Sequence, residues 1–122
     1  MPKRILIAED DVRSRELITM HAKSYGYEVV AVADGVDLLA ASINERFDLI
    51  ITDLMMINLN GASATEILKM QGNTVPVIAL TALSADEIHL VHDKFENVFH
   101  KPCNYKNLFS YVELLIGNKP IT

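Results

Sequence analysis

Acidic side chains stand directly after two of the apolar runs in this sequence. Glu9, Asp10 and Asp11 follow the run ILIA, and Asp53 follows the run LIIT. Carboxylates that crowd together repel one another unless a cation lies between them, and sites built only of oxygen ligands favour Mg²⁺ or a similar hard ion. These residues therefore predict a metal site, provided that the fold brings both runs to one edge.

A hydroxyl and an amine complete this set of polar groups. Thr81 and Ala82 follow the run VIAL, and Lys101 and Pro102 come shortly after the run VF. A lysine among acids supplies a movable positive charge for an anion such as phosphate, and a threonine hydroxyl donates a hydrogen bond to it. With a metal, these groups are typical of phosphoryl transfer, where catalysis is mostly positioning and charge neutralisation. Asp53 is the predicted nucleophile, because carboxylates form aspartyl-phosphate intermediates.

Five short apolar runs predict the strands that must position these residues. Because the first four runs are almost continuously apolar, we expect strands buried on both faces, as in a parallel sheet covered by helices. In such sheets the ligand site lies beyond the carboxyl ends of the strands, where the polar residues occur. The predicted strands are Ile5–Ala8, Val29–Val32, Leu49–Thr52, Val77–Leu80 and Val98–Phe99.

Segments with helical period separate these runs and predict five helices. Strand and helix thus alternate five times, which predicts an α/β domain, (βα)5, with a five-stranded parallel sheet. Right-handed crossovers should put helices on both faces of the sheet. The predicted apolar helix faces are, in chain order, Ile18, Ala22 and Tyr25; Val36, Leu39, Ala40 and Ile43; Ile67 and Leu68; Ile88, Val91 and Phe95; and Tyr105, Leu108, Phe109, Val112, Leu115 and Ile116.

Length and composition exclude several classes of protein. The chain has 122 residues, enough for one domain with a single core, and its net charge of −5 argues against an extended nucleic-acid surface. Cys103 is the only cysteine, which excludes an internal disulfide and a cysteine-based zinc site. The apolar run near the start is too short for the core of a signal peptide or for a membrane span. We expect a soluble, cytoplasmic domain.

Four segments resemble the receiver domain of two-component response regulators. They are RILIAEDD, FDLIITDLMMINLNG, VIALTA and HKP, in the order and at nearly the spacing of that family. The resemblance covers residues 3–117 and implies a flavodoxin-like fold with strand order 2-1-3-4-5. We expect residues 1–117 to form the receiver domain and residues 118–122 to be a tail or the start of a linker.

The resemblance implies a phosphorelay function. A sensor histidine kinase or a histidine phosphotransfer protein would donate a phosphoryl group from its phosphohistidine, and the modified surface would signal to an effector protein or domain. The domain would catalyse its own phosphorylation and dephosphorylation without being an enzyme in the usual sense, either free-standing or as part of a hybrid histidine kinase. No direct contact with nucleic acid or membrane is implied, and the expected state is a monomer or weak dimer.

The resemblance also assigns the metal ligands. Asp53 would be the phosphoacceptor and would bind Mg²⁺ together with Asp10. Glu9 would lie near the ion or bind it through water. The backbone carbonyl of Met55 would complete the ligands from the protein.

The remaining matched residues would bind the phosphoryl group. The Thr81 hydroxyl and the Ala82 amide would bond to it once it is present, and Lys101 would pair with it or with Asp53. Lys101–Pro102 would be a cis peptide, which is largely confined to bonds before proline.

Three positions depart from the family pattern. Glu9 stands where aspartate is usual, Ile57 stands where proline is common, and Val98 replaces an aromatic residue whose rotation reports phosphorylation. An aromatic switch is therefore not expected at Val98. The stretch from Thr81 to Lys101 is short, so we expect a brief or displaced fourth helix.

Several other polar residues have simpler interpretations. Asp11 is predicted to cap the helix that begins near Val12. His89 and His92 are expected on a solvated helix face, because no third metal ligand is evident. His100 is expected to cover a loop. Cys103 is expected to pack at the start of the last helix.

Three other functions compete with the phosphorelay hypothesis. The first is a receiver-shaped interaction module, or pseudo-receiver, that is never phosphorylated. The second is a phosphatase of the haloacid-dehalogenase type, which needs a second acid two residues after the nucleophile, where this chain has Met55. The third is a flavodoxin, but the three acids after the first strand would repel a flavin phosphate.

Overall fold

Strands and helices alternate along the chain in the predicted order. The computed structural model describes residues 2–56, 58–89 and 92–117, so that Ile57, Val91 and the predicted tail lie outside the described residues. The elements are β1 (Arg4–Ala8), α1 (Val12–Ser24), β2 (Glu28–Val32), α2 (Gly35–Asn44), β3 (Leu49–Asp53), α3 (Gly61–Met70), β4 (Val77–Thr81), α4 (Ala85–His89), a 3₁₀ turn (His92–Lys94), β5 (Asn97–His100) and α5 (Tyr105–Ile116).

The five strands form one parallel sheet in the order β2-β1-β3-β4-β5, which confirms the predicted fold. Successive side chains of β1 point to opposite faces, as the strand geometry requires. Ile5 and Ile7 pack with α1 and α5 on one face, whereas Leu6 and Ala8 pack with α2 and α3 on the other. Helices therefore cover both faces, as predicted.

Burial on both faces holds for the inner strands only. Every residue of β3 and β4 is buried, and β1 is buried from Ile5 onward. The prediction that Val29–Val32 is also fully buried is wrong, because β2 is an edge strand whose residues are half-buried or exposed. These buried inner strands support the residues at the carboxyl edge of the sheet.

The predicted apolar face of α2 is wrong, although the helix itself is present. Val36 and Ile43 are 53% and 66% exposed, whereas Leu38 is fully buried and packs against α3. The start of the helix is held in this orientation where Gly35 lies against the main chain of Leu59. The Gly35 amide donates to the Leu59 carbonyl at 3.0 Å, and a Cβ at Gly35 would lie 2.2 Å from that oxygen.

The segment between β4 and β5 contains a short helix, as the spacing predicted. α4 spans five residues and includes the buried Ile88. The prediction that Phe95 shares this helix is wrong: Phe95 follows the 3₁₀ turn and is buried on the α2/α3 side of the sheet. Phe95 lies only two residues before β5 begins at Asn97.

Helix starts and faces otherwise follow the sequence. Asp11 caps α1, as predicted, by accepting a hydrogen bond from the Ser14 amide at 2.8 Å. On α5 the predicted face is confirmed, with Leu108, Phe109 and Val112 fully buried. Among the described residues, no helix combines the length and apolar character needed to cross a membrane.

Candidate functional site

The predicted acids meet at the carboxyl edge of the sheet. Glu9 follows β1, and Asp53 is the last residue of the neighbouring strand β3, one residue later than the predicted strand end. One oxygen from each of Glu9, Asp10 and Asp53 lies within 4.8 Å of the other two. Glu9 and Asp53 are only 1% and 6% exposed, while Asp10 is partly exposed. This donor set suits a hard cation, which would relieve the repulsion between the carboxylates.

Lys101 joins the two buried acids. Its Nζ donates to Glu9 Oε1 and to Asp53 Oδ2, the second at 2.6 Å. Burial alone would lower the pKa of Lys101, but its bonds to Asp53 and Glu9 outweigh this effect and raise the pKa. Burial raises the pKa of the Glu9 carboxyl, and the hydrogen bond from Lys101 offsets this only in part. The ammonium is thus the cation that the chain itself supplies to the site.

Asp53 is held by its own loop as well as by Lys101. Its Oδ1 accepts a hydrogen bond from the Met55 amide at 3.0 Å, so both carboxylate oxygens have a partner. The Met55 side chain is exposed, which agrees with a role confined to its main chain. Its carbonyl as a metal ligand stays a prediction.

Thr81 closes β4 beside this cluster and is fully buried. Its hydroxyl oxygen accepts a hydrogen bond from the Leu83 amide at 3.0 Å, which leaves the hydroxyl proton free to donate elsewhere. The Lys101 amide donates to the Thr81 carbonyl at 2.8 Å, so the ends of β4 and β5 are joined. The Lys101–Pro102 peptide is cis, as predicted.

Two features that sequence reasoning missed shape this edge. Gly61 approaches so closely that a Cβ there would lie 2.2 Å from the Asp53 carbonyl oxygen. The Asn60–Gly61 pair signalled a turn, but not this contact. Arg15 reaches back from α1 to the carbonyl of Glu9, a contact for which the sequence carries no signal.

The histidines and the cysteine lie apart from the acid cluster. His89 and His92 are exposed, as predicted, but they do not share a helix, because His89 ends α4 and His92 begins the 3₁₀ turn. Their rings stack with centroids 5.7 Å apart, and His100 is exposed at the end of β5. Within the described residues, the acid cluster is the one group of three or more side chains placed to hold a metal. Cys103 packs against the core beside α5, and burial raises the pKa of its thiol, which disfavours a reactive thiolate.

Val98 packs on the α2/α3 side of the sheet at the position where the family pattern has an aromatic residue. The next residue, Phe99, points to the opposite face and contacts the Tyr111 ring at 5.6 Å. The aromatic side chain of β5 is therefore turned away from the face that carries Val98.

A family model matches most of the chain. The model describes the response regulator receiver domain and matches residues 5–113. The chain belongs to the response regulator receiver domain family. It is therefore a receiver domain of a two-component system, and its observed strand order is the one expected for that family.

Curated relatives of this receiver domain are much longer proteins. The transcription factor SKN7 of Saccharomyces cerevisiae is 32% identical over 108 residues, which are 87% of this chain and 17% of the relative. The response regulator MprA of a Mycobacterium species is 37% identical over 82 residues, which are 67% of this chain and 36% of that protein. The receiver domain thus spans well under half the length of these relatives.

Solved receiver domains share the fold over almost their whole length. The receiver domain of a sensor histidine kinase from Pseudomonas aeruginosa, with a magnesium ion coordinated in its active-site cleft, has a TM-score of 0.88 and 30% identity, and the match covers 96% of this chain and 99% of that one. The Thermotoga maritima response regulator TrrA, in complex with Mg²⁺ and BeF, has a TM-score of 0.85 and 26% identity, with 93% and 98% covered.

Replacing Lys101 with methionine is expected to destabilise the fold by about 2 kcal/mol at neutral pH. Removing one partner of a buried ion pair costs more than that, but Lys101 is 27% exposed. Without the ammonium, the pKa of the Glu9 carboxyl rises further above its unfolded value. A carboxyl with a raised pKa destabilises the fold fully above its folded pKa, and this penalty disappears below its unfolded pKa, so the loss should shrink as the pH falls toward about 4. Urea denaturation across this range measures it.

Lys94→Met is the matched control for Lys101→Met. Lys94 pairs with Glu66 at 2.7 Å on the surface, where solvent screens the pair. We expect little change in stability from this replacement at any pH. Equal effects of the two replacements would contradict a special role for the Lys101 ion pairs.

Proposed function

We propose that this receiver domain accepts a phosphoryl group on Asp53 from the phosphohistidine of a partner protein. The observation that carries the proposal is the buried Asp53 carboxylate at the end of β3, with Lys101 on one oxygen and two further acids beside it. The partner would be a sensor histidine kinase or a histidine phosphotransfer protein, and the domain would act in the cytoplasm. The modified surface would then be read by an effector.

Magnesium would be held at the acid cluster. Asp10 and Asp53 supply carboxylate oxygens, the Met55 carbonyl a further oxygen, and Glu9 lies near or acts through water. The bound ion would neutralise negative charge on the phosphoryl group during transfer. The magnesium ion in the similar Pseudomonas domain supports this choice of metal.

With Mg²⁺ bound at the acid cluster, the transfer uses side chains that the fold already positions. An Asp53 carboxylate oxygen attacks phosphorus, the phosphorus–nitrogen bond of the phosphohistidine breaks, and the imidazole keeps the electron pair. Lys101 can stay beside the carboxylate while its charge offsets the incoming phosphoryl oxygens. The Thr81 hydroxyl has its proton free to donate to one of them, beside the Ala82 amide. Water later attacks the acyl phosphate, releases phosphate and restores the Asp53 carboxylate.

The rival interpretations fit less well. A pseudo-receiver has no need for a lysine shared between two buried carboxylates, because desolvation of the charges leaves such an arrangement little net contribution to stability. A haloacid-dehalogenase-type phosphatase needs an acid at Met55, whose side chain is exposed. The phosphorelay role therefore accounts for the most features of the site.

Labelling with a small phosphodonor tests the proposal. The domain incubated with acetyl phosphate and Mg²⁺ should take up one phosphoryl group, which intact-protein mass spectrometry detects. Excess EDTA should prevent the labelling, because the acid cluster would lose its cation. Beryllofluoride with Mg²⁺ should shift the amide resonances of Thr81 and Ala82. A folded domain that takes up neither ligand would contradict the proposal and favour the pseudo-receiver.

A further inference from the structure

The loop between β1 and α1 is tied to the fold through Glu9. The Glu9 amide donates to the Val32 carbonyl at 3.0 Å, and Glu9 Oε2 accepts from the Asp11 amide at 3.1 Å. Lys101 donates to Oε1, and the Glu9 carbonyl is a further acceptor on the main chain of this residue. The orientation of the acidic pair depends on where that carbonyl points.

Arg15 supplies the donor for the Glu9 carbonyl. From the first turns of α1, its Nη1 donates to the Glu9 carbonyl at 2.8 Å and lies 3.5 Å from the Asp10 carbonyl. A guanidinium makes strong, directional hydrogen bonds and keeps its charge at all relevant pH values. The bond therefore fixes the main chain of both acids from the helix that follows them.

We infer that Arg15 is a positioning residue for the metal-binding acids Glu9 and Asp10. The inference rests on the proposed function, because it assigns those acids to Mg²⁺. Arg15 touches the main chain of the acids and none of the reacting groups. Partners that orient metal ligands typically contribute tenfold or more to metal affinity.

The sign of the effect separates positioning from simple charge. A positive charge close to a cation site weakens cation binding, so a neutral residue at position 15 should tighten Mg²⁺ binding if charge alone mattered. If Arg15 holds the acids in place, its removal should weaken Mg²⁺ binding instead. The two roles predict opposite changes in one measured constant.

Arg15→Met is the test, with Arg13→Met as its matched control. Arg13 is exposed on the same helix and is close enough to lower the pKa of Asp11 slightly, after the larger effect of the Ser14 hydrogen bonds. Within the described residues, it donates no hydrogen bond to the loop. Calorimetric titration with Mg²⁺ should show a dissociation constant about tenfold higher for Arg15→Met. Arg13→Met should bind Mg²⁺ as tightly as the parent, or slightly more tightly.

Hydrogen exchange gives a second readout without metal. The Asp11 amide should exchange faster in Arg15→Met, because the Glu9 carboxylate that accepts its hydrogen bond is less well held. The glutamine side chain of Arg15→Gln is too short to reach the Glu9 carbonyl, so this variant should show the same weaker Mg²⁺ binding and faster exchange. It serves as the second variant if Arg15→Met folds poorly. Unchanged or tighter Mg²⁺ binding in a folded Arg15 variant would overturn the inference. A parent domain that binds no Mg²⁺ would instead refute the proposed function.

Discussion

Asp53→Asn is expected to abolish phosphoryl labelling while the domain stays folded. Asparagine has nearly the same shape, and its single oxygen can still accept from Lys101, but it lacks the second oxygen that accepts from the Met55 amide, and its amide is not a nucleophile. The stability should change by no more than about 1 kcal/mol, because Lys101 keeps Glu9 as an anionic partner. Mass spectrometry after incubation with acetyl phosphate and Mg²⁺ measures the labelling, and thermal melting checks the fold.

The control for Asp53→Asn is Asp37→Asn. Asp37 is an exposed acid in the first turn of α2, away from the cluster, so its replacement should leave labelling unchanged. If Asp53→Asn still took up a phosphoryl group at the rate of the parent, another residue would be the acceptor.

Gly61→Ala is expected to destabilise the domain by about 3 kcal/mol and to impair labelling. The new methyl group would lie 2.2 Å from the Asp53 carbonyl oxygen and 2.8 Å from Thr52 Oγ1, so the end of β3 or the start of α3 must move. Inserting atoms into packed structure usually costs 1–3 kcal/mol, and a rigid main-chain neighbour puts this case at the upper end. Urea denaturation measures the cost.

Gly72→Ala provides the comparison at the other end of α3. Gly72 has a φ of +82°, which strains alanine, but no atom lies within 4 Å of its Cβ position. We expect a cost of about 1 kcal/mol and normal labelling. If Gly72→Ala lowered the stability and the labelling as much as Gly61→Ala, the loss of a glycine would explain both effects. The close approach of Gly61 to Asp53 would then not be the cause.

The strands and the edge that carries the site could be predicted from the sequence because inner strands appear as short, continuous apolar runs. Ile5–Ala8 and Leu49–Thr52 must be apolar on both faces, and the residues that follow them must reach the same edge. The positions of Glu9 and Asp53 follow directly from that rule. The roles given to them by resemblance await the experiments above.

Helix faces were harder to predict where apolar residues are dense. α2 is apolar at most positions between Val36 and Ile43, so two overlapping stripes fit the helical period equally well. The contact between Gly35 and Leu59 helps to hold α2 with Leu38 inward. This contact joins residues distant in the sequence, and composition gives no sign of it.

The contact between Arg15 and the Glu9 carbonyl was also beyond sequence reasoning. The sequence places a positive charge one turn into α1, but a long side chain can extend in several directions. Its target is a main-chain group that every residue possesses. Such contacts depend on the side-chain rotamer and become known only with coordinates.

The hydrogen bond from the Lys101 amide to the Thr81 carbonyl has a mechanical consequence. Thr81 and Lys101, the two side chains proposed to bind the phosphoryl group, lie at the ends of neighbouring strands. This hydrogen bond joins the two strand ends, so neither can shift far without the other. A pull on Thr81 would draw the start of the β5–α5 connection with it. Occupancy of a single carboxylate would in this way be converted into a concerted displacement spanning two loops, without any aromatic ring having to rotate.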